Sequence, residues 1–159
     1  MYEHNIMRIN YTTYDIRRSQ DVVNASTSHC NIMVLSDCNG GHNSNQLHPF
    51  RYARVLGVYH VNAVYVGPGM VDYQPRRMEF LWVRWYRRIE TGWDAFKLRR
   101  VHFPPIAEEE AFGYIDPSDI LRSCHIIPAF SMGKFHVDDR GLSRLAGDSS
   151  DWAAYYVNQ

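Results

Sequence analysis

Along this chain, apolar and polar positions alternate over short runs rich in Val, Ile, Tyr and Trp. Alternation with a period of two predicts strands rather than helices. The first such run is MRINYTTYDIRRSQDVV, Met7 to Val23, a strand and a turn. A short apolar strand follows at Asn31 to Ser36. The run Arg51 to Val66, RYARVLGVYHVNAVYV, is too long for one straight strand and is expected to bend or bulge near Gly57 or Asn62. After the loop VGPGMVDYQP comes MEFLWVRWYRRIET, Met78 to Thr91, so the two long runs are expected to form a hairpin with a wide connection. Further strands are expected at Lys97 to Phe103 and Ala111 to Ile115. Ile120 to Phe130 reads as a turn and a strand ended by Pro128. Asp151 to Val157 is expected to pair back on the domain. Asp116 followed by Pro117 has the form of a helix or turn entry, with Asp116 as cap.

Gly-, Asn- and Pro-rich stretches place loops near 37–49 and 67–75, and the polar segment 131–150 is expected to be mobile. The chain of 159 residues suits a single domain over 1–159. Many short strands and little helix predict a mainly β fold, a small barrel or a bent sheet with one or two short helices. On the strand at 78–88, one face carries Glu79, Leu81, Val83, Trp85 and Arg87. The other carries Met78, Phe80, Trp82, Arg84 and Tyr86. Neither face is polar throughout, as befits a central strand covered on both sides. One aromatic set is expected to fill the core and the other to present a ligand face.

Charge sharpens this picture. The net charge is zero, but residues 76–100 hold eight basic and three acidic groups, and residues 101–159 hold four and nine. A local basic field of this kind can steer an anionic partner even on a neutral molecule. Three cysteines in irregular spacing fit a reducing compartment better than a disulfide framework. No apolar run approaches the roughly 18 residues of a membrane-spanning helix.

The chemistry of known catalytic motifs is missing from the sequence. Gly67-Pro68-Gly69 lacks the Lys-Ser/Thr of a phosphate loop, and no Gly-x-Ser-x-Gly elbow occurs. No catalytic residue and no cofactor is expected. His29, Cys30, Cys38, His42 and His48 are the nearest approach to a zinc set, but their spacing departs from the common sites, so no metal is expected either. His60, His102 and His125 fall in strands and read as structural. The aromatic residues Trp82, Trp85, Tyr86, Tyr59, Tyr52 and Trp93 offer two uses. They can form a pocket for a cation, or stack on bases beside Arg76, Arg77, Arg84, Arg87 and Arg88.

Two resemblances add to this reading. The segments YTTYDIRRSQDVVN, IMVLS, HPFRYARVLGVYHVNA, RRMEFLWVRWYRR, AFGYIDPSDILRSCHIIPAF and DWAAYYVN resemble a domain common in basidiomycete fungi, found near the C-terminus of large proteins that accompany Plavaka- and CACTA-like DNA transposons. That family brings no established activity. More loosely, Ala53-Arg54-Val55, then Val83-Arg84-Trp85-Tyr86 with Glu90-Thr91, then Ser118, Ile120, Cys124 and Ile126 are similar to the bromo-adjacent homology (BAH) domain. That resemblance implies a BAH-like or SH3-like barrel, non-enzymatic chromatin or protein binding, and Trp85 at the position of a methyl-lysine cage tryptophan. Arg87 stands where a further cage aromatic would be expected. The expectation is therefore a nuclear, fungal, transposon-associated binding module, not an enzyme, with a histone tail or other protein as partner. Its ligand face would hold Trp82, Trp85, Tyr86 and Tyr59. The alternatives are a DNA-binding module using the basic 76–100 segment and a structural spacer.

Overall fold

A computed structural model describes residues 1–12, 18–36, 49–89 and 98–158, with the backbone alone at Thr12 and Arg18. Cys38, His42, His48, Glu90, Thr91, Trp93 and nearly all of the 37–49 loop lie outside the described residues. The fold is mainly β, as the alternation predicts, and takes the form of bent sheets; no barrel closes among the described residues. In place of one or two helices stand short 3-10 turns at Glu109–Ala111, Pro117–Asp119, Phe130–Met132 and Asp148–Ser150.

The strands, in chain order, are β1 (Tyr2–His4), β2 (Ile6–Thr12), β3 (Arg18–Asn24), β4 (Asn31–Leu35), β5 (Phe50–Ala63), β6 (Arg76–Trp85), β7 (Arg87–Arg88), β8 (Arg99–His102), β9 (Phe112–Ile115), β10 (Ile120–Ser123), β11 (His125–Pro128) and β12 (Tyr155–Asn158). The central sheet runs β10-β4-β5-β6-β9, with β1 added to β5 beyond the end of β4. A second sheet runs β11-β12-β8-β7, and β2 and β3 form a separate hairpin. The expected long hairpin is β5–β6, antiparallel from Ala53–Trp85 to Ala63–Arg76. Its register slips between Val55 and Gly57, so Leu56 is the extra residue of a bulge. Asp116 caps the turn that Pro117 opens, accepting from the Ser118 amide at 2.8 Å.

Both faces of the central sheet are apolar because both are covered. On one face Ile32, Val34, Ala53, Val55, Val58, Leu81 and Val83 pack under Ile9 and Val23 of the β2–β3 hairpin. On the other, Met33, Tyr52 and Tyr86 pack against Val101, Phe103, Tyr155 and Val157, most of them from the second sheet. The segment expected as one strand at the end of Ile120 to Phe130 is split between sheets. β10 pairs with β4, β11 pairs with β12, and Cys124 sits at the crossing, its amide donating to the Asn31 carbonyl. β12 lies between β8 and β11, so Asp151 to Val157 does pair back on the domain.

Candidate binding surface

The β5–β6 ribbon turns one continuous face toward the second sheet, but that sheet covers only half of it. Before the bulge this face carries Arg54 and Arg84, directly opposite each other, and Tyr86 just beyond. All three are drawn inward. Arg84, 3% exposed, donates to Asp151 Oδ2 at 2.5 Å, and Asp151 is equally buried. Arg54 donates to the other carboxylate oxygen at 3.1 Å, and the Tyr155 hydroxyl donates to it at 3.2 Å. Both guanidinium carbons lie over the Phe103 ring, at 4.5 Å for Arg54 and 4.0 Å for Arg84. Phe103 stacks on Tyr86 at 4.1 Å, and the Tyr86 hydroxyl donates to Asn31 Oδ1 at 3.0 Å. Burial pushes the Tyr86 phenol far above its ordinary value, so it remains a neutral donor.

Two of the expected site residues are therefore core residues. Arg84 is not a surface contact for an anion: its charge is already matched by a buried carboxylate. Tyr86 is not on a ligand face, because Phe103 and Tyr155 enclose it. Tyr52, 1% exposed, belongs to the same core.

Beyond the bulge the same face emerges from cover. The register places Gly57 opposite Trp82, Tyr59 opposite Phe80, and Trp82 opposite Tyr114 of β9. Tyr59 and Phe80 are 5.6 Å apart, Phe80 meets Tyr114 edge-on at 5.7 Å, and Trp82 lies 6.0 Å from Phe112. The rings form two contact groups, Tyr59–Phe80–Tyr114 and Trp82–Phe112, which the register sets side by side on one face; Tyr59, Phe80, Trp82 and Phe112 are half-buried and Tyr114 is 74% exposed. Gly57 is what lets the row lie flat. A Cβ there would stand 2.4–2.5 Å from the Tyr59 ring, which folds back over the bare backbone. Two of the four expected aromatic site residues, Trp82 and Tyr59, thus belong to one surface. Phe80, Phe112 and Tyr114 join them. Pairing of the AFGYI strand with β6 is the signal that was missing, since the alternation of each strand gives faces but not neighbours.

Trp85 stands elsewhere, on the opposite face of β6. Its indole nitrogen lies over Gly113, and Arg51 is stacked above the ring with its guanidinium carbon 4.0 Å from the centre. An open groove of about 480 Å³ is lined there by Ser36, Arg51, Trp85 and Glu110. Trp85 is its one aromatic among the described residues, and a cation of the chain itself already occupies the ring.

The basic segment is dispersed. Arg76 and Arg77 begin β6, while Arg87 and Arg88 follow its end, about 33 Å away at the rise of an extended chain. Arg76 lies 3.9 Å from Asp72, Arg77 lies 2.7 Å from Glu79, and Arg87 pairs with Glu108. Its hydrogen bond to Arg87 holds the Glu108 carboxyl below the usual value. The five arginines thus do not converge on one anion site. Nor do the described members of the zinc set. Cys30 is buried in the sheet and its thiol is pushed up by burial, and no group of three or more metal-binding side chains gathers among the described residues.

Within the polar 131–150 segment, expected to be mobile, the Asp148 side chain is buried. Asp148 accepts from the amides of Leu142 at 2.6 Å and Ser143 at 3.0 Å, with His136 Nε2 at 3.7 Å. Burial alone would raise its pKa, but these amides, with a contribution from Arg84, hold it below the ordinary carboxylate value. No helix among the described residues is long and apolar enough to cross a membrane. The chain matches no protein-family model, no curated protein and no solved structure.

Proposed function

We propose that this domain is a non-catalytic protein-interaction module whose ligand face is the row Tyr59, Phe80, Trp82, Phe112 and Tyr114. The observation that carries this reading is the uncovered half of the β5–β6 face. Five rings in two contact groups share that half of the face and reach solvent, where the other half is sealed under a second sheet. Aromatic groups on a rigid sheet give large contact area at low entropic cost, which is what a binding surface needs. The resemblances to a fungal transposon-associated domain and to BAH domains supply the setting: a nuclear protein of a mobile element, with chromatin proteins, histone tails among them, as the partners. The exposed arginines support a DNA reading less well, since they are separated along the chain and Arg76, Arg77 and Arg87 have acidic neighbours.

The test is a binding panel of modified and unmodified histone peptides beside short single- and double-stranded DNA, read by fluorescence anisotropy at low and moderate salt. Peptide binding that survives salt, is lost in Tyr114→Ala and persists in Arg88→Ala supports the proposal. DNA binding that collapses with salt and depends on Arg76, Arg77, Arg87 and Arg88 would replace it with a nucleic-acid module. Silence in both arms would favour a structural spacer.

A further inference from the structure

On the side of the central sheet opposite the aromatic row, strand β1 brings His4 against His60 of β5. His4 Nε2 and His60 Nδ1 are 2.6 Å apart. The ring centres are 4.8 Å apart with planes 28° from parallel. The difference between those distances is about the length of two ring radii. The two nitrogens therefore lie between the rings, and the rings meet edge to edge with their in-plane lone pairs converging on one point. Tyr2 stacks on the other side of His60, 4.7 Å between centres and 11° from parallel, which fixes the orientation of that ring. A single proton now joins the pair, since one imidazole must donate and the other accept.

We propose that His4 and His60 form a chelating site for a first-row transition dication of the Zn2+, Ni2+ and Cu2+ class, which clamps β1 to β5. Neutral imidazole nitrogens are the ligands such ions take. A tetrahedral ion with Zn–N bonds near 2.0–2.1 Å needs its two nitrogens about 3.3 Å apart. The nitrogens must move apart by about 0.7 Å, and the rings must turn so that both lone pairs meet the ion, a change that side-chain rotation on an edge strand can supply. The ion takes the place of the shared proton, and the ring that donated it carries its single proton on its other nitrogen instead, so both rings stay neutral and no net proton is released. No third histidine, cysteine or carboxylate completes the site among the described residues, so water fills the remaining positions. Glu79, opposite His60 on β6, is held by Arg77 at 2.7 Å, so that pair brings no net charge to the site.

The experiment is calorimetric titration of the intact domain with ZnCl2, NiCl2 and CuCl2 in a non-chelating buffer, repeated on His4→Gln and His60→Gln. Hydrogen exchange of the β1 amides is followed in parallel, and a thermal melt of each variant confirms folding. The expected result is one ion per chain, tightest for Cu2+. Either substitution should weaken it at least about tenfold, the loss that even an outer-shell partner can cause, and β1 amides should gain protection only in the unsubstituted protein. Binding unchanged in both variants, or binding abolished by Cys38→Ala or His42→Ala instead, would overturn the proposal. So would the absence of any binding.

Discussion

The two halves of one face of the β5–β6 ribbon make the most instructive contrast in this molecule. Both halves lie on the same two strands and carry large side chains at alternate positions. Before the Leu56 bulge, Arg54, Arg84 and Tyr86 are covered by Phe103, Asp151 and Tyr155. After it, Tyr59, Phe80 and Trp82 are half-buried and Tyr114 is exposed, outside the core that the second sheet completes. The covered half holds guanidiniums together with a phenol and the open half holds rings. Where cover exists, the guanidiniums become core because a carboxylate comes with the cover. Where it does not, the rings remain in reach of solvent.

The contrast can be broken most forcefully from the covered side. Asp151→Ala leaves the buried Arg84 without its counter-charge, and a loss of about 3–5 kcal/mol is expected in urea unfolding. On the uncovered side, Tyr114→Ala should change stability by no more than about 0.5 kcal/mol while abolishing partner binding. A large loss of stability there would mean the row is structural. Tyr86→Phe removes one buried hydrogen bond to Asn31 and should cost about 1–2 kcal/mol by the same measurement. Acid gives a finer probe of the segment that helps cover the first half. Because the folded pKa of Asp148 is lowered, the stability it lends is fully present above about pH 4 and is lost as the pH falls through the folded value. Asp148→Asn should therefore lower the urea midpoint at pH 7 and flatten its fall below about pH 4. The smallest effect is expected for Arg87→Ala, which breaks a solvent-exposed pair with Glu108 and should leave the midpoint unchanged.

Much of this arrangement is legible in the sequence, and the illegible part has a common cause. The long hairpin, the irregularity near Gly57, the Asp116–Pro117 turn and the two faces of β6 follow from local alternation and turn chemistry, because those signals sit in adjacent residues. Alternation says which side chains share a face and nothing about what lies over it. Arg84 looks like a surface cation until Asp151, 67 residues away, is brought beneath it. Tyr86 is lost from the ligand face for the same reason, and Tyr114 and Phe112 are gained because β9 pairs with β6. Asp148 sits in a polar, Gly-rich stretch whose composition suggests freedom, yet its buried carboxylate gathers the amides around it. His4 and His60 are 56 residues apart, and no spacing rule joins them.

The order in which the chain can become native follows from the place of β12. This strand lies in the middle of the second sheet, between β8 and β11, and the residues just before it supply the carboxylate that both buried guanidiniums require. A nascent chain that has emerged only as far as β11 holds its long hairpin but has two arginines with no counter-ion and half a sheet with no centre. Consolidation must wait for residues 151–158, with contacts that reach back about a hundred positions. Slow, late and all-at-once acquisition of protection in β4, the first half of β5, β8 and β11 is the kinetic signature such long-range closure carries.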